Sequence, residues 1–219
     1  MSTLAAVLFD MDGTLVDTEV LWWRTTEEIA GGLGHRLTDA DAPEVVGRAV
    51  EDTAAHLVRV AGGGDPQEVG AALTEDFFRR VQAGAPMRPG AQRLLTALEA
   101  QGVPFALVSA SPRVVVDSVV GGSLAHVPFA FTLSADDTVR TKPHPDPYRV
   151  AAGRLGLVPE ACVAVEDSPD GAASAEAAGC GVLVVPSLLP VPASPPRTFA
   201  ASLEDVTPEL LRGCARPPV

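Results

Sequence analysis

Short, continuous apolar runs alternate with helical patterns along most of this 219-residue chain. Each run lacks the polar alternation of a half-exposed strand, so we expect strands that are buried on both faces. Strands separated by helices form parallel sheets with right-handed crossovers. The pattern therefore predicts an α/β fold with a doubly wound, mostly parallel sheet. The five predicted strands cover residues 4–9, 103–108, 129–133, 163–165 and 182–185.

A block of helical patterns interrupts this alternation after the first strand. Helices are predicted at residues 18–34, 51–60 and 66–82, with no convincing strand among them. Such a block forms its own layer beside a sheet. We therefore predict two domains, an α/β core of residues 1–16 and 86–219 and an inserted all-helical cap of residues 17–85. The proline-rich tail after Pro186 predicts a surface wrap with one helix near residues 204–211 and no chemistry.

Two acids, Asp10 and Asp12, follow the first predicted strand directly, and Gly13 then permits a tight turn. Ligands of open parallel sheets bind outside the carboxyl ends of the strands, which is where these acids lie. Taken alone, the pair also fits a capping turn without any catalytic role. The polar residues at the other strand ends therefore test whether a site is present.

Three later strands are also followed by polar residues that would converge with this acid pair. Ser109 follows the second strand, Lys142 follows the third, and Glu166 and Asp167 follow the fourth. The helix after Ser109 is expected to offer free backbone N–H groups and a positive dipole end, which suit a phosphate. A lysine beside a carboxylate and a phosphate can neutralise both. The ordinary alternatives are helix caps for Ser109 and Asp167 and solvated surface for Lys142.

The acids at this sheet edge imply a cation. Asp10, Asp12 and Asp167 would repel one another strongly unless a positive ion lay among them. Hard oxygen ligands with few fixed protein contacts suit Mg²⁺, which keeps several waters and accepts a phosphate oxygen. The sequence therefore predicts a Mg²⁺ site.

The overall charge limits the class of partner. A formal charge of −12 and a pI near 4.6 disfavour nucleic acid and anionic membrane surfaces. No apolar run approaches the ~20 residues that cross a bilayer, and no basic signal region precedes the first strand. We therefore expect a cytoplasmic protein, and any phosphate that it binds must be small and locally neutralised. The oligomeric state, which these patterns leave open, is expected to be a monomer. The three cysteines show no paired spacing, which predicts neither a disulfide framework nor a zinc cluster.

Four segments resemble, in order, the four motifs of the haloacid dehalogenase-like phosphotransferase superfamily. They are DMDGTLVD at residues 10–17, LVSAS at 107–111, KPHPD at 142–146 and VEDSPDG at 165–171. The resemblance covers about residues 4–186. It is strongest to the β-phosphoglucomutase-like branch, in which a helical cap follows the first motif, and within that branch to small sugar-phosphate phosphatases.

The resemblance implies roles for seven residues. Catalysis would depend on Asp10 as the nucleophile and Asp12 as the general acid and base. The phosphate would be held by Ser109, Ala110 and Lys142. The Mg²⁺ ligands would be Asp10, Asp12 through its backbone carbonyl, and Asp167, with Glu166 among or beside them.

The implied reaction is hydrolysis of a small phosphate monoester, a sugar or polyol phosphate, through an aspartyl phosphate on Asp10. The alternative is a phosphomutase of the β-phosphoglucomutase type. Such mutases carry a histidine where this chain aligns Trp22 and an arginine where it aligns Val50, although Arg48 could partly replace that arginine. The cap would close over the site and select the substrate. Candidate specificity residues are Glu19, Trp22, Trp23 and Arg48.

Overall fold

The computed structural model describes residues 4–46 and 48–215. Gly47 and the predicted domain ends at residues 1–3 and 216–219 lie outside the described residues. The chain forms two compact units. The α/β unit contains the chain up to Val16 and from Pro86 onward, and the helical unit is Asp17–Ala85.

The α/β unit is built on a six-stranded sheet in the order β3-β2-β1-β4-β5-β6. Every neighbouring pair of these strands is parallel. The predicted doubly wound parallel fold is confirmed. The strands are β1 (Ala6–Phe9), β2 (Phe105–Val108), β3 (Thr132–Leu133), β4 (Cys162–Glu166), β5 (Gly181–Val184) and β6 (Arg197–Phe199).

Nine α-helices are assigned within the described residues, and none of them is long and apolar enough to cross a bilayer. Four belong to the helical unit and five to the α/β unit. In chain order they are α1 (Thr18–Gly32), α2 (Ala42–Val45), α3 (Val50–Ala61), α4 (Pro66–Gly84), α5 (Ala91–Ala100), α6 (Arg113–Gly121), α7 (Asp146–Arg154), α8 (Pro169–Ala178) and α9 (Pro208–Cys214).

The central strand β1 sets the position of the site. Val7 of β1 pairs with Phe105 of β2 on one side and with Val163 of β4 on the other. All residues of β1, β2, β4 and β5 are buried, which explains why these strands read as continuous apolar runs. The strand order reverses between β1 and β4, and doubly wound sheets bind ligands at that point.

The tail after Pro186 does more than wrap the surface, so that prediction was wrong in part. Residues 197–199 form β6, which pairs with β5 and extends the sheet. This strand has only three residues, and all are half-buried or exposed, so it has no apolar run from which it could be predicted. The tail helix begins at Pro208 instead of near residue 204, because Thr207 caps it by accepting a hydrogen bond from the Leu210 N–H at 3.2 Å.

The helical unit has its own apolar core, and its described residues contain no strand. Helix α1 begins at Thr18, where the Asp17 side chain accepts a hydrogen bond from the Val20 N–H at 3.2 Å. The predicted all-helical insert is confirmed. Helix α2 was not predicted, because its four residues are too few to show a helical pattern. The buried core residues are Ala30, Leu37, Val45, Ala54, Leu57, Val69 and Leu73.

A buried carboxylate in the helical unit links the segment before α2 to helix α3 through hydrogen bonds. Asp41 accepts hydrogen bonds from His56 at 2.8 Å and from both the N–H and the hydroxyl of Thr38, at 2.9 and 3.0 Å. Burial by itself would raise the pKa of Asp41, but these hydrogen bonds outweigh it and hold the pKa below its ordinary value of 3.8. The ionised carboxylate therefore stabilises the folded unit.

We expect Asp41→Asn to lower the free energy of unfolding at pH 7 by about 1–3 kcal/mol, because it weakens hydrogen bonds to a buried group. The folded-state pKa is depressed, so the stabilisation is present above 3.8 and is lost as the pH falls below that value. Urea unfolding of both proteins between pH 3 and pH 7 measures this. The exposed neighbour Asp39, changed to Asn, is the matched control. If Asp41→Asn lowered the free energy of unfolding by the same amount at pH 3 and at pH 7, stabilisation by the ionised Asp41 carboxylate would be contradicted.

Candidate active site

The strand register brings the predicted site residues to one edge of the sheet. Phe9, the last residue of β1, pairs with Leu107 of β2 and with Val165 of β4. The backbone N–H of Asp10 then donates to the Val165 carbonyl at 3.0 Å. Polar residues that follow these strands must therefore lie side by side.

Lys142 lies between two carboxylates in the interior of this cluster. Its Nζ donates to Asp10 Oδ1 and to Glu166 Oε1, each at 2.6 Å, and its side chain is buried. Burial by itself would lower the pKa of Lys142, but the charges of Asp10 and Glu166 raise it above its ordinary value of 10.5. Lys142 is therefore a charged group of the site and not a solvated surface lysine.

The loop that carries Lys142 is fastened on both sides. Arg140 forms a two-pronged ion pair with Asp146, with both N···O distances at 2.9 Å. The Ser174 hydroxyl of α8 donates to the His144 carbonyl at 2.5 Å. These contacts close the segment around the lysine and hold its side chain against the sheet edge.

Glu166 is fully buried and has a partner on each oxygen. Its Oε1 accepts from Lys142 and from the hydroxyl of Tyr148, and its Oε2 accepts from the Ser168 hydroxyl at 3.2 Å. Burial raises the pKa of Glu166, and the charge of Lys142 opposes that effect. The pKa of Tyr148 is also raised well above 10.0, first by burial and then by the charge of Glu166, so the phenol remains a proton donor.

Three acids of this edge could hold a metal ion. Asp10, Glu166 and Asp167 each offer one oxygen, and these oxygens lie within 4.8 Å of one another. Among the described residues, the buried Oδ2 of Asp10 has no hydrogen-bond partner. Three carboxylates face one lysine, so negative charge is in excess. This hard oxygen donor set fits Mg²⁺.

The carboxylate of Asp12 is engaged by two serine hydroxyls instead of joining that cluster. Ser109 Oγ and Ser111 Oγ donate to Asp12 Oδ2 at 3.2 and 2.7 Å. Ser109 Oγ also accepts from the Ser111 N–H at 2.9 Å, while Ala110 lies exposed between the two serines. Ser111 was not among the predicted site residues, although its spacing of two from Ser109 on the same loop could have indicated it.

The expected phosphate cradle at the N-terminus of the helix after Ser109 is different in the structure. Helix α6 begins at Arg113, whose N–H donates to Asp136 Oδ2 at 2.8 Å. The Arg113 guanidinium also forms an ion pair with Asp137. Burial by itself would raise the pKa of Asp137, but hydrogen bonds from Ser134 and Arg113 outweigh burial and lower that pKa to about 2. A carboxylate of the protein itself therefore occupies the first N–H of this helix, so this N–H is not free as expected. Phosphate binding at this end of the helix stays a prediction.

The four predicted specificity residues lie in the helical unit. Glu19 is in the first turn of α1, and Arg48 is exposed with its Nε donating to the Pro43 carbonyl at 2.9 Å. Trp22 donates to the Val45 carbonyl at 3.0 Å, and both Trp22 and Trp23 pack against the apolar core of that unit. The tryptophans are therefore partly structural, and a role for these four residues in substrate choice stays a prediction.

The family of this chain follows from comparison with known proteins. The model of the haloacid dehalogenase-like hydrolases matches residues 4–179. The chain belongs to this family of hydrolases, and the resemblance inferred from the four motifs is confirmed.

Individual relatives align with between 84% and 100% of this chain. Hexitol phosphatase B of Escherichia coli (strain K12) is 30% identical over 187 residues, which is 84% of this chain and 84% of that protein. Hexitol phosphatase A of the same strain is 33% identical over 217 residues, covering 91% of this chain and 92% of that protein. The structure of a family hydrolase from Deinococcus radiodurans R1 with bound phosphate and sodium aligns over 100% of both chains, with 28% identity and a TM-score of 0.80.

We expect Gly171→Ala to destabilise the protein by about 1–3 kcal/mol, because an added Cβ in α8 would overlap the Glu166 carboxylate. The matched control is Gly153→Ala in α7, where an added Cβ meets no atom within 4 Å. That change should be neutral or stabilising by up to about 1 kcal/mol, since alanine favours helix more than glycine does. Thermal unfolding of the two variants measures the difference. Equal effects would show that the space around Glu166 is not restricted.

Proposed function

We propose that this protein is a Mg²⁺-dependent phosphatase that hydrolyses a small sugar or polyol phosphate through an aspartyl phosphate on Asp10. The observation that carries the proposal is the state of Asp10. Its Oδ1 is held by Lys142 at 2.6 Å, whereas its buried Oδ2 has no hydrogen-bond partner among the described residues. One oxygen is thus fixed by a cation and the other is left for attack on phosphorus.

The residues that would hold Mg²⁺ are Asp10, Glu166 and Asp167, each of which offers an oxygen to one cluster. The family resemblance adds the backbone carbonyl of Asp12. When bound, Mg²⁺ would neutralise charge on the phosphate oxygens and orient the phosphate. Lys142 would contribute a second positive charge from the protein side. Without such charges an anionic phosphate would be repelled by this acidic edge.

In the first step, Asp10 Oδ2 attacks phosphorus in line with the ester bond. A new bond forms between Oδ2 and phosphorus while the bond from phosphorus to the alcohol oxygen breaks. Protonated Asp12 donates its proton to that departing oxygen, which leaves as a neutral alcohol. The products of this step are the alcohol and phosphorylated Asp10.

In the second step, a water molecule attacks the phosphorus of the aspartyl phosphate. Asp12, now ionised, takes the proton of that water, and the bond between phosphorus and Asp10 breaks. Inorganic phosphate leaves, and both acids return to their starting forms. Ser109 and Ser111 support this cycle because their hydroxyls can donate to ionised Asp12 and can rotate to accept from protonated Asp12.

Phosphate binding is assigned to Ser109, Ala110 and Lys142. Lys142 can contact both Asp10 and a phosphate oxygen because an ammonium has three donors, of which two are used here. Ala110 lies exposed in the loop between β2 and α6, beside the serines that hold Asp12. Together these groups would surround the equatorial oxygens during transfer.

The substrate class is assigned from the relatives and the charge of the chain. Both hexitol phosphatases bear names for phosphates of small polyols, and a chain of formal charge −12 disfavours polymeric anions. We assign substrate choice to the helical unit, as a cap domain, through Glu19, Trp22, Trp23 and Arg48. We also propose that the protein acts as a cytoplasmic monomer.

Phosphate release with Mg²⁺ from a panel of hexose, pentose, polyol, glycolate and nucleotide monophosphates tests the function. We expect steady release from a sugar or polyol phosphate, complete loss in Asp10→Asn, and loss on chelation of Mg²⁺ that is reversed when Mg²⁺ is added back. Conversion of β-glucose 1-phosphate primed by a bisphosphate, without release from any ester, would instead identify the mutase. Release that persists in Asp10→Asn would exclude Asp10 as the nucleophile.

Asp12→Asn tests the proton transfer separately. An amide keeps the size of Asp12 and its contacts with the serines but has no acidic proton, so we expect kcat to fall by about 10²–10⁴-fold with KM little changed. The control is Asp117→Asn on α6, an exposed acid that pairs with Arg113 at 3.1 Å. A kcat for Asp12→Asn close to that of the control would rule out general acid catalysis by Asp12.

A further inference from the structure

A side chain from the tail reaches the acid cluster. Ser187 lies beyond the end of β5, outside all four sequence motifs, in the segment that was expected to carry no chemistry. Its hydroxyl donates a hydrogen bond to Asp167 Oδ2. Asp167 is buried and is one of the three carboxylates that could hold a metal ion. The tail therefore contacts the candidate metal site directly.

The turn of the first motif forms the opposite wall of the same spot. Gly13 has a φ of +78°, in the region that favours glycine. A Cβ added there would overlap Asp167 Oδ2 and would lie 3.0 Å from Ser187 Oγ. The Asp167 carboxylate is thus packed between the backbone of Gly13 and the hydroxyl of Ser187, which together restrict its rotation.

We propose that Ser187 is a positioning residue that orients the Asp167 carboxylate for Mg²⁺, an inference that rests on the proposed function. Asp167 lies beside Asp10 and Glu166, and like charges push such a carboxylate away from them. A hydroxyl that donates to one oxygen holds the group in place against that repulsion. Groups that hold a metal ligand in this way contribute about 10–100-fold to metal affinity.

The competing explanation is that Ser187 only fastens the tail to the α/β unit. The chain offers a matched control for it, because Ser194 in the same tail segment donates to Glu176 Oε1 at 3.0 Å. Both serines are half-buried and both bind a carboxylate of the α/β unit. Glu176 lies outside the three-carboxylate cluster. If Ser187 only fastened the tail, replacing Ser187 and replacing Ser194 would have equal effects on the Mg²⁺ Kd.

The test is calorimetric titration of Mg²⁺ into the full-length protein without substrate, using wild type, Ser187→Ala, Ser194→Ala and Asp167→Asn. We expect Ser187→Ala to raise the Mg²⁺ Kd about 10–100-fold and Ser194→Ala to leave it unchanged. Thermal unfolding without metal should give similar midpoints for the two alanine variants. Similar midpoints show that both variants lose the same amount of stability from the lost tail contact.

The outcomes separate the two proposals. Equal Mg²⁺ Kd values for Ser187→Ala, Ser194→Ala and wild type would overturn the role of Ser187 and leave the metal site intact. Wild type that binds no Mg²⁺, or Asp167→Asn that binds it like wild type, would overturn the metal site together with the role of Ser187. Because the titration measures binding and not turnover, absence of phosphatase activity cannot imitate either result.

Discussion

The concentration of negative charge at one edge of the sheet is the constraint that governs this structure. Carboxylate oxygens of three acids, Asp10, Glu166 and Asp167, lie within 4.8 Å of one another. They are close because parallel strands all end at the same edge of the sheet. Buried charges are costly unless they are paired and hydrogen-bonded. Lys142 meets part of that requirement by contacting two of the acids at 2.6 Å. The remaining excess of negative charge suits this edge to a divalent cation.

Support for this edge comes from parts of the chain that are distant in sequence. Tyr148 from α7 and Ser168 before α8 bind Glu166, while Ser187 from the tail binds Asp167. Buried polar networks whose members are satisfied are rigid and specify one arrangement. Within the described part of the chain, the Asp10 side chain has a hydrogen-bond partner on Oδ1 and none on Oδ2. The proposed function assigns the other oxygen of Asp10, Oδ2, to the attack on phosphorus.

The outcome of the sequence-based predictions depended on burial. Strands β1, β2, β4 and β5 were found because their residues are buried on both faces, so they read as continuous apolar runs. Strand β6 was missed because it is short and half-exposed at the sheet edge. The helix after Ser109 was expected to offer free backbone N–H groups, but Asp136, more than twenty residues later in the chain, occupies the first of them. Contacts between distant residues leave no local pattern.

The sequence by itself determined the family, the fold class and the residues at the strand ends, since these follow from apolar periodicity and from four ordered motifs. Tertiary structure alone decided how those residues are held. Tyr148 reads as an ordinary apolar helix position, and Ser187 as one serine of a proline-rich tail. Each becomes a partner of a buried carboxylate only when the sheet brings its strand ends together. The physical reason is that a hydrogen bond depends on distance and direction in space, which spacing along the chain does not encode.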